Sequence, residues 1–402
     1  MRTLELAESL RPDLVDLRRR LHQVPELGLE LPITQSLVLE ALEGLDLEVS
    51  VGKELSSVTA VLRGRGGDTA SSARRPVVLL RGDMDALPVT EDLDLDYVST
   101  HEGLMHACGH DLHVASLVGA ARVLHEMRDE LAGDVVFMFQ PGEEGPGGAD
   151  IMVREGLLEA AGRRVDAAYA MHVYSAEFPR GVWFGRPGPL MAAADEVRVR
   201  VVGEGGHGSA PFRTRDPIPA ACEMVLALQS MVTRTFDVFD PVVVTVGRIA
   251  GGTKDNIIPD DAVFEATLRT LSEENRVAVR ERIERLVTGI AAAHGLTVEV
   301  DFTIGYPVTV NDVDEYAFAQ ETIVDLFGPE RYMTMAEPEM GSEDFSFVGQ
   351  LVPSAYVNLS VCPSDDWEHA PDNHSPRAGF DDAFLPDATA LLAELALRRL
   401  SR

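Results

Sequence analysis

Three short runs of uninterrupted apolar residues constrain this chain more than anything else in it. They are Val77-Val78-Leu79-Leu80, Val135-Val136-Phe137-Met138-Phe139 and Ala167-Ala168-Tyr169-Ala170-Met171. Each reads as a strand buried on both faces, as in a parallel sheet covered by helices. Each also delivers polar groups at its carboxyl end: Asp83 and Asp85, then Glu143 and Glu144, then His172. A helical pattern over about 111–131 separates the first two runs. In open α/β sheets the ligand site lies beyond the carboxyl ends of the strands, so these groups are expected to converge. A fourth buried run, Ser354 to Val361, precedes a loop carrying His369 and His374.

The middle of the chain follows a different rule. Glu196 to Val202 alternates apolar with polar, the signature of a half-buried strand. From there the order is strand, helix, strand, strand, helix, strand, the split βαβ pattern of ferredoxin-like domains. A chain of 402 residues exceeds what one core usually fills. The expected fold class is therefore α/β: an α/β domain built from 1–186 and 306–402, interrupted by an inserted ferredoxin-like α+β domain at 187–305. Met1 to Glu30 reads as an amphipathic helix, Pro32 to Gly44 as a second helix, and 64–75, rich in Gly, Ser and Arg, as a surface loop.

Charge and cysteine usage narrow the function classes. A formal net charge of −31 argues against a nucleic-acid partner, which needs a basic surface to neutralise phosphates. The three cysteines, Cys108, Cys222 and Cys362, are too few and odd in number for a disulfide framework. They fit a reducing compartment. The opening segment mixes acidic and basic residues and does not read as a signal peptide, and no apolar run approaches membrane-spanning length. A cytoplasmic protein with no membrane partner is expected.

The densest chemistry lies in His106-Ala107-Cys108-Gly109-His110-Asp111-Leu112-His113. Thiolate and imidazole are preferred donors for a divalent metal; the bland alternative is a helix start with Asp111 as its cap. Glu143 and Glu144 could divide labour, one binding metal and the other taking a proton, or be solvated residues of a Pro-Gly turn. Gly205-Gly206-His207-Gly208-Ser209 and Gly251-Gly252-Thr253-Lys254-Asp255-Asn256 lie in the inserted domain. There His207 could meet an oxyanion or carboxylate and Asn256 could help bind substrate, or both could be loop residues. No strand-turn-helix elbow surrounds Ser209, so a serine nucleophile is not expected.

Taken together, Gly82-Asp83-Met84-Asp85-Ala86-Leu87-Pro88, Met105 to Asp111, Gln140 to Glu144, Gly206 to Pro211 and Met340 to Phe345 resemble the amidohydrolase branch of the aminoacylase/carboxypeptidase dinuclear metallohydrolases. That branch includes hippurate hydrolases, N-acyl-L-amino-acid amidohydrolases and auxin-conjugate hydrolases. The motifs occur in the family's order along nearly the whole chain. The resemblance implies two divalent ions per subunit, Zn²⁺ or Mn²⁺, with Co²⁺ or Ni²⁺ also compatible, held by Cys108, His110, Glu144, His172 and His374. It casts Glu143 as general base, Asp85 as the carboxylate that orients the site, and His207 as a substrate contact. Asp83 stands where the wider family has a ligand histidine, which leaves its role open. The implied reaction is cleavage of the linear amide of a small N-acyl-L-amino acid by metal-activated water. A carboxypeptidase or dipeptidase acting on unblocked peptides is the alternative. The inserted domain is expected to serve as a lid and to form a homodimer.

Overall fold

The computed structural model describes residues 1–66 and 75–402. Most of the loop expected at 64–75 lies outside them. The described residues form two compact units: Met1–Gly188 with Val310–Ala336 and Asp344–Arg402, and Pro189–Thr309 with Glu337–Glu343.

The larger unit opens with helices α1 (Arg2–Ser9), α2 (Arg11–His22) and α3 (Pro32–Ala41). The single opening helix read from the sequence is thus two. The chain breaks at Leu10 because Pro12, lacking an N–H, belongs in the first turn of a new helix. Strands β1 (Glu48–Val51), β2 (Val58–Arg63), β3 (Val77–Asp83), β4 (Asp134–Gln140), β5 (Ala167–Tyr174) and β6 (Trp183–Gly185) join one eight-stranded sheet. Its order is β1, β2, β4, β3, β5, then Ser354–Ser360, β6 and Tyr332–Thr334. The central strands β4, β3, β5 and Ser354–Ser360 are parallel to one another. Every residue of β3, β4 and Ser354–Ser360 is buried, as uninterrupted apolar runs require.

Helix α4 (His110–Glu126) lies on this sheet and is buried along most of its length. Gly82 of β3 permits the approach: a Cβ there would stand 2.9 Å from the carbonyl oxygen of His113. The helix stops short of the expected Leu131, giving way to a 3₁₀ turn at Arg128–Glu130. β5 runs two residues past His172, so that imidazole projects from within a strand rather than from its end.

In the smaller unit a four-stranded antiparallel sheet has the order Val242–Gly251, Asp261–Thr270, Ala193–Val202, Thr297–Ile304. With the helices Pro217–Thr235 and Glu273–Ala293 this is the ferredoxin-like arrangement. Asp216 and Ser272 cap the two helices, accepting from the N–H groups of Ile218 and Asn275. Val197, Val199 and Val201 join Phe264, Leu268, Met224, Leu228 and Ile283 in its core. Beneath that core Arg276 grips buried Asp195 with two hydrogen bonds of 2.7 and 2.9 Å.

Candidate metal centre

The turn before α4 organises the centre. Gly109 sits between Cys108 and His110 at φ +81°, where a side chain is strained. A Cβ there would also lie 2.5 Å from Val173 Cγ2. The turn brings Cys108 Sγ to 3.3 Å from His172 Nε2 on β5. It is equally 3.3 Å from His374 Nε2, on the loop after Ser354–Ser360. His374 Nε2 is 3.2 Å from Glu144 Oε1, in the turn after β4. Two triads result, Cys108–His110–His172 and Cys108–Glu144–His374, each with ligand atoms within 4.8 Å of one another. Cys108 is common to both. Glu143 lies beside the pair, in a third group with His110 and Glu144.

The donor atoms fit cations. His110 Nδ1 is 2.9 Å from the backbone carbonyl of Asp85, which can only accept, so Nδ1 carries the hydrogen and Nε2 offers a lone pair. That Nε2 is buried without a hydrogen-bond partner. A ligand histidine whose other nitrogen donates to a carbonyl is the usual arrangement around a metal. Burial, with His113 and His110 nearby, holds His172 well below its ordinary pKa and so keeps it neutral, as a ligand must be. Burial opposes charge on His110 as well, but Asp83 and Cys108 raise it well above the ordinary value. Hydrogen bonding to Cys108 and Glu144 pushes His374 up to about 10. Both imidazoles are thus drawn to a positive charge that bound ions would supply instead. Soft sulfur with imidazole and carboxylate matches zinc-like divalent ions better than Mg²⁺ or Ca²⁺.

Asp85 acts through the backbone. Its Oδ1 accepts from the N–H of Glu143 and its Oδ2 from the N–H of Glu144, both at 3.0 Å. One buried carboxylate therefore fixes both glutamates, while the carbonyl of the same residue fixes His110. Asp83 is held by different partners: Arg81 Nη1 lies 2.7 Å from its Oδ2 and His113 Nδ1 2.5 Å from its Oδ1. Burial opposes its charge, yet Arg81, then His110 and His113, keep its carboxyl well below the ordinary range. The N–H of Val173 donates to His113 Nε2, so His113 carries its hydrogen on Nδ1 and donates to Asp83. With both nitrogens engaged, His113 supports the site from behind.

A second buried network braces the start of α4. His22 of α2 lies 2.8 Å from Asp111 Oδ2 through Nδ1 and 3.1 Å from Glu91 Oε1 through Nε2. Arg18 Nε is 2.8 Å from the same Asp111 oxygen. Asp111 is therefore a buried ion-pair partner, a stronger role than the helix cap the bland reading gave it. Burial pushes neighbouring His106 down to about 3.

In the smaller unit, the short strand Gly206–His207 pairs with Ile257–Ile258, which brings His207 and Asn256 together; Gly208 N–H donates to the Asn256 carbonyl at 2.9 Å. His207 Nδ1 accepts from the Ser209 N–H at 3.1 Å and stands 2.8 Å from its hydroxyl. The hydrogen is therefore on Nε2, which leaves this exposed residue a free donor. His369 joins none of the clusters and pairs on the surface with Asp366 at 2.8 Å. Sequence reading missed Arg81 and Asn373 and gave no role to His113. His113 stands one helical turn after His110 and Arg81 two residues before Asp83, spacings that put each pair on one face.

Comparison with known proteins agrees with this geometry. The model of peptidase family M20/M25/M40 matches residues 79–398. Thermostable carboxypeptidase 1 of Saccharolobus solfataricus is 36% identical over 98% of this chain and 99% of its own length. N-acetylcysteine deacetylase of Bacillus subtilis is 35% identical over 96% of this chain and 96% of its own. The solved B. subtilis YXEP protein, described as a dinuclear metal-binding peptidase from the M20 family, superposes with a TM-score of 0.82 at 32% identity, covering 98% of this chain and 99% of that one. No described helix is long and apolar enough to cross a membrane. The matched span takes in the carboxyl-terminal part of β3, the Cys108 turn, the Glu143–Glu144 turn and the His374 loop, and on that ground the chain belongs to peptidase family M20/M25/M40, as a hydrolase with a centre for two divalent metal ions.

Proposed function

We propose that this protein hydrolyses the amide bond of small N-acyl-L-amino acids, releasing a carboxylate and a free amino acid. The observation that carries the reading is the pair of triads sharing Cys108 with Glu143 beside them, in a chain 35% identical to an N-acetylcysteine deacetylase. Cys108, His110, Glu144, His172 and His374 would hold two ions, Zn²⁺ or Mn²⁺. When bound, these would act as Lewis acids, lowering the pKa of water and polarising the amide carbonyl. Glu143 takes the proton from the attacking water and delivers it to the leaving nitrogen. Asp85 keeps Glu143 and Glu144 in place through their backbone N–H groups. In the smaller unit, read as lid and dimerisation domain at about 187–305, His207 Nε2–H donates to the substrate's carbonyl or carboxylate, and neighbouring Asn256 assists.

A second reading, a carboxypeptidase or dipeptidase on unblocked peptides, is favoured by the similarity to the S. solfataricus carboxypeptidase. A panel of N-acetyl- and N-benzoyl-amino acids beside matched dipeptides, assayed with Zn²⁺, Mn²⁺ and Co²⁺, separates the two. Turnover of the acyl series is expected; faster cleavage of the dipeptides would install the second reading.

A homodimer is supported by apolar groups near the open edge strand Val242–Gly251: Leu226, Val238 and Phe239 are 74, 78 and 93% exposed. Light scattering at micromolar concentration should give twice the chain mass, and the mass of a single chain would remove the dimer. A cytoplasmic, reducing setting follows from the same reading, since oxidation of Cys108 would take its sulfur out of the site.

A further inference from the structure

Asn373 is the residue before ligand candidate His374, and its amide is engaged on both sides. Its Oδ1 accepts from the Ser175 N–H at 2.9 Å and lies 2.9 Å from the Ser175 hydroxyl. Because an N–H can only donate, that side must be the oxygen, which turns Nδ2 the other way. There Nδ2 donates to the Val173 carbonyl at 3.0 Å and reaches Cys108 Sγ at 3.8 Å. His374 sits at φ +69°, a left-handed conformation that is strained for a residue with a Cβ. Its own N–H donates to the Ala107 carbonyl at 2.8 Å, next to Cys108. Something must hold the loop in that shape, and Asn373, the residue before it, is hooked to Val173 of β5 and to Ser175 just past its end.

We infer that Asn373 is a positioning residue of the metal centre: it fastens the His374 loop to Val173 of β5 and to Ser175 just past the end of that strand, and donates an N–H to the sulfur shared by the two triads. This rests on the metal-centre reading above. The position needs one planar group that accepts on one edge and donates on the other at short reach. Asp lacks the donor, Ser is too short, and Gln would push the loop away. A donor to the sulfur is also the kind of outer contact that orients a metal-ligating group.

The test uses the full-length protein stripped with chelator and titrated with Co²⁺, reading bound metal by equilibrium dialysis and the sulfur-to-cobalt charge-transfer band by absorption. The wild-type chain is expected to take up two Co²⁺. Asn373→Ala should bind one of them about 10- to 100-fold more weakly, with the thermal melt of the stripped protein unchanged. Two Co²⁺ bound with wild-type affinity would overturn the inference. Should Asn373→Ala fail to fold, Asn373→Asp decides. It keeps the acceptor toward Ser175 and removes the donor, so a weakened site with a displaced band supports the role and an unchanged band and affinity overturn it. A wild-type chain that takes up no Co²⁺ would remove the metal-centre reading itself, and this inference with it.

Discussion

The two units bury their sheets in different ways. In the larger one, β3, β4 and Ser354–Ser360 are enclosed on both faces, and the exits of the parallel strands carry charge. In the smaller one, Ala193–Val202 and Asp261–Thr270 alternate between buried residues and residues that are half-buried or exposed, helices covering one side only. The contrast explains where the reactive groups lie. A carboxylate or imidazole at the end of a doubly buried strand is already largely desolvated, and it stays there only if neighbours or ions compensate it. Asp83, Asp85, His110 and His113 are all nearly inaccessible and all paired. Charges on the open face of the smaller sheet, such as Arg248 with Glu265, have water instead.

The sharpest way to break this contrast is at Glu143. Glu143→Ala should retain its metal and lose about 10²- to 10⁴-fold in kcat; activity near wild type would show that the buried carboxylate is not the base. Next comes the one place where the smaller unit imitates the larger. Asp195→Ala leaves buried Arg276 with only the Gly305 carbonyl at 2.9 Å and the longer 3.4 Å contact to Glu273, and should cost about 3 kcal/mol in urea unfolding. A loss under 1 kcal/mol would mean that water reaches Arg276 and that the smaller unit has no dry polar centre.

A third effect depends on pH. Burial disfavours charge on His22, yet Asp111 and Glu91 raise its pKa above 6.5. Its contribution should therefore be complete below pH 6.5 and fade as pH rises through the folded-state value. His22→Gln should be less stable by about 1–3 kcal/mol at pH 6, the gap closing toward alkaline pH. A gap that widened with pH would mean His22 is buried neutral. The smallest effect is expected on the open face, where Arg248→Ala should change stability by less than about 0.5 kcal/mol. A larger loss in unfolding experiments would mean that this face is covered.

Much of the site was legible because it is written in strand ends. Runs such as Val77–Leu80 cannot be exposed, and the residues after them must lie on one edge of a parallel sheet. Cys108, His110 and Glu144 also fell into motifs with family spacing. Other features were invisible for identifiable reasons. Pro12 splits the opening helix where apolar spacing alone reads straight through. His172 lies inside its strand because β5 continues pairing with Ser354–Ser360 as far as Tyr174 and Ser360. Asn373 and His113 work through partners 30 to 265 residues away, and no local pattern marks such pairs.

By itself the sequence determined which residues had to be buried, which strands had to be parallel, and which side chains were fit to hold a metal, because period, apolar run length and donor chemistry are local properties. Tertiary structure alone decided how those groups are held. The hydrogen on His110 Nδ1, the backbone grip of Asp85 on two glutamates, the pairing of Asp83 with His113 and the fastening of His374 through Asn373 are set by distances between remote segments, and hydrogen-bond roles are fixed only once a donor or an acceptor arrives within reach.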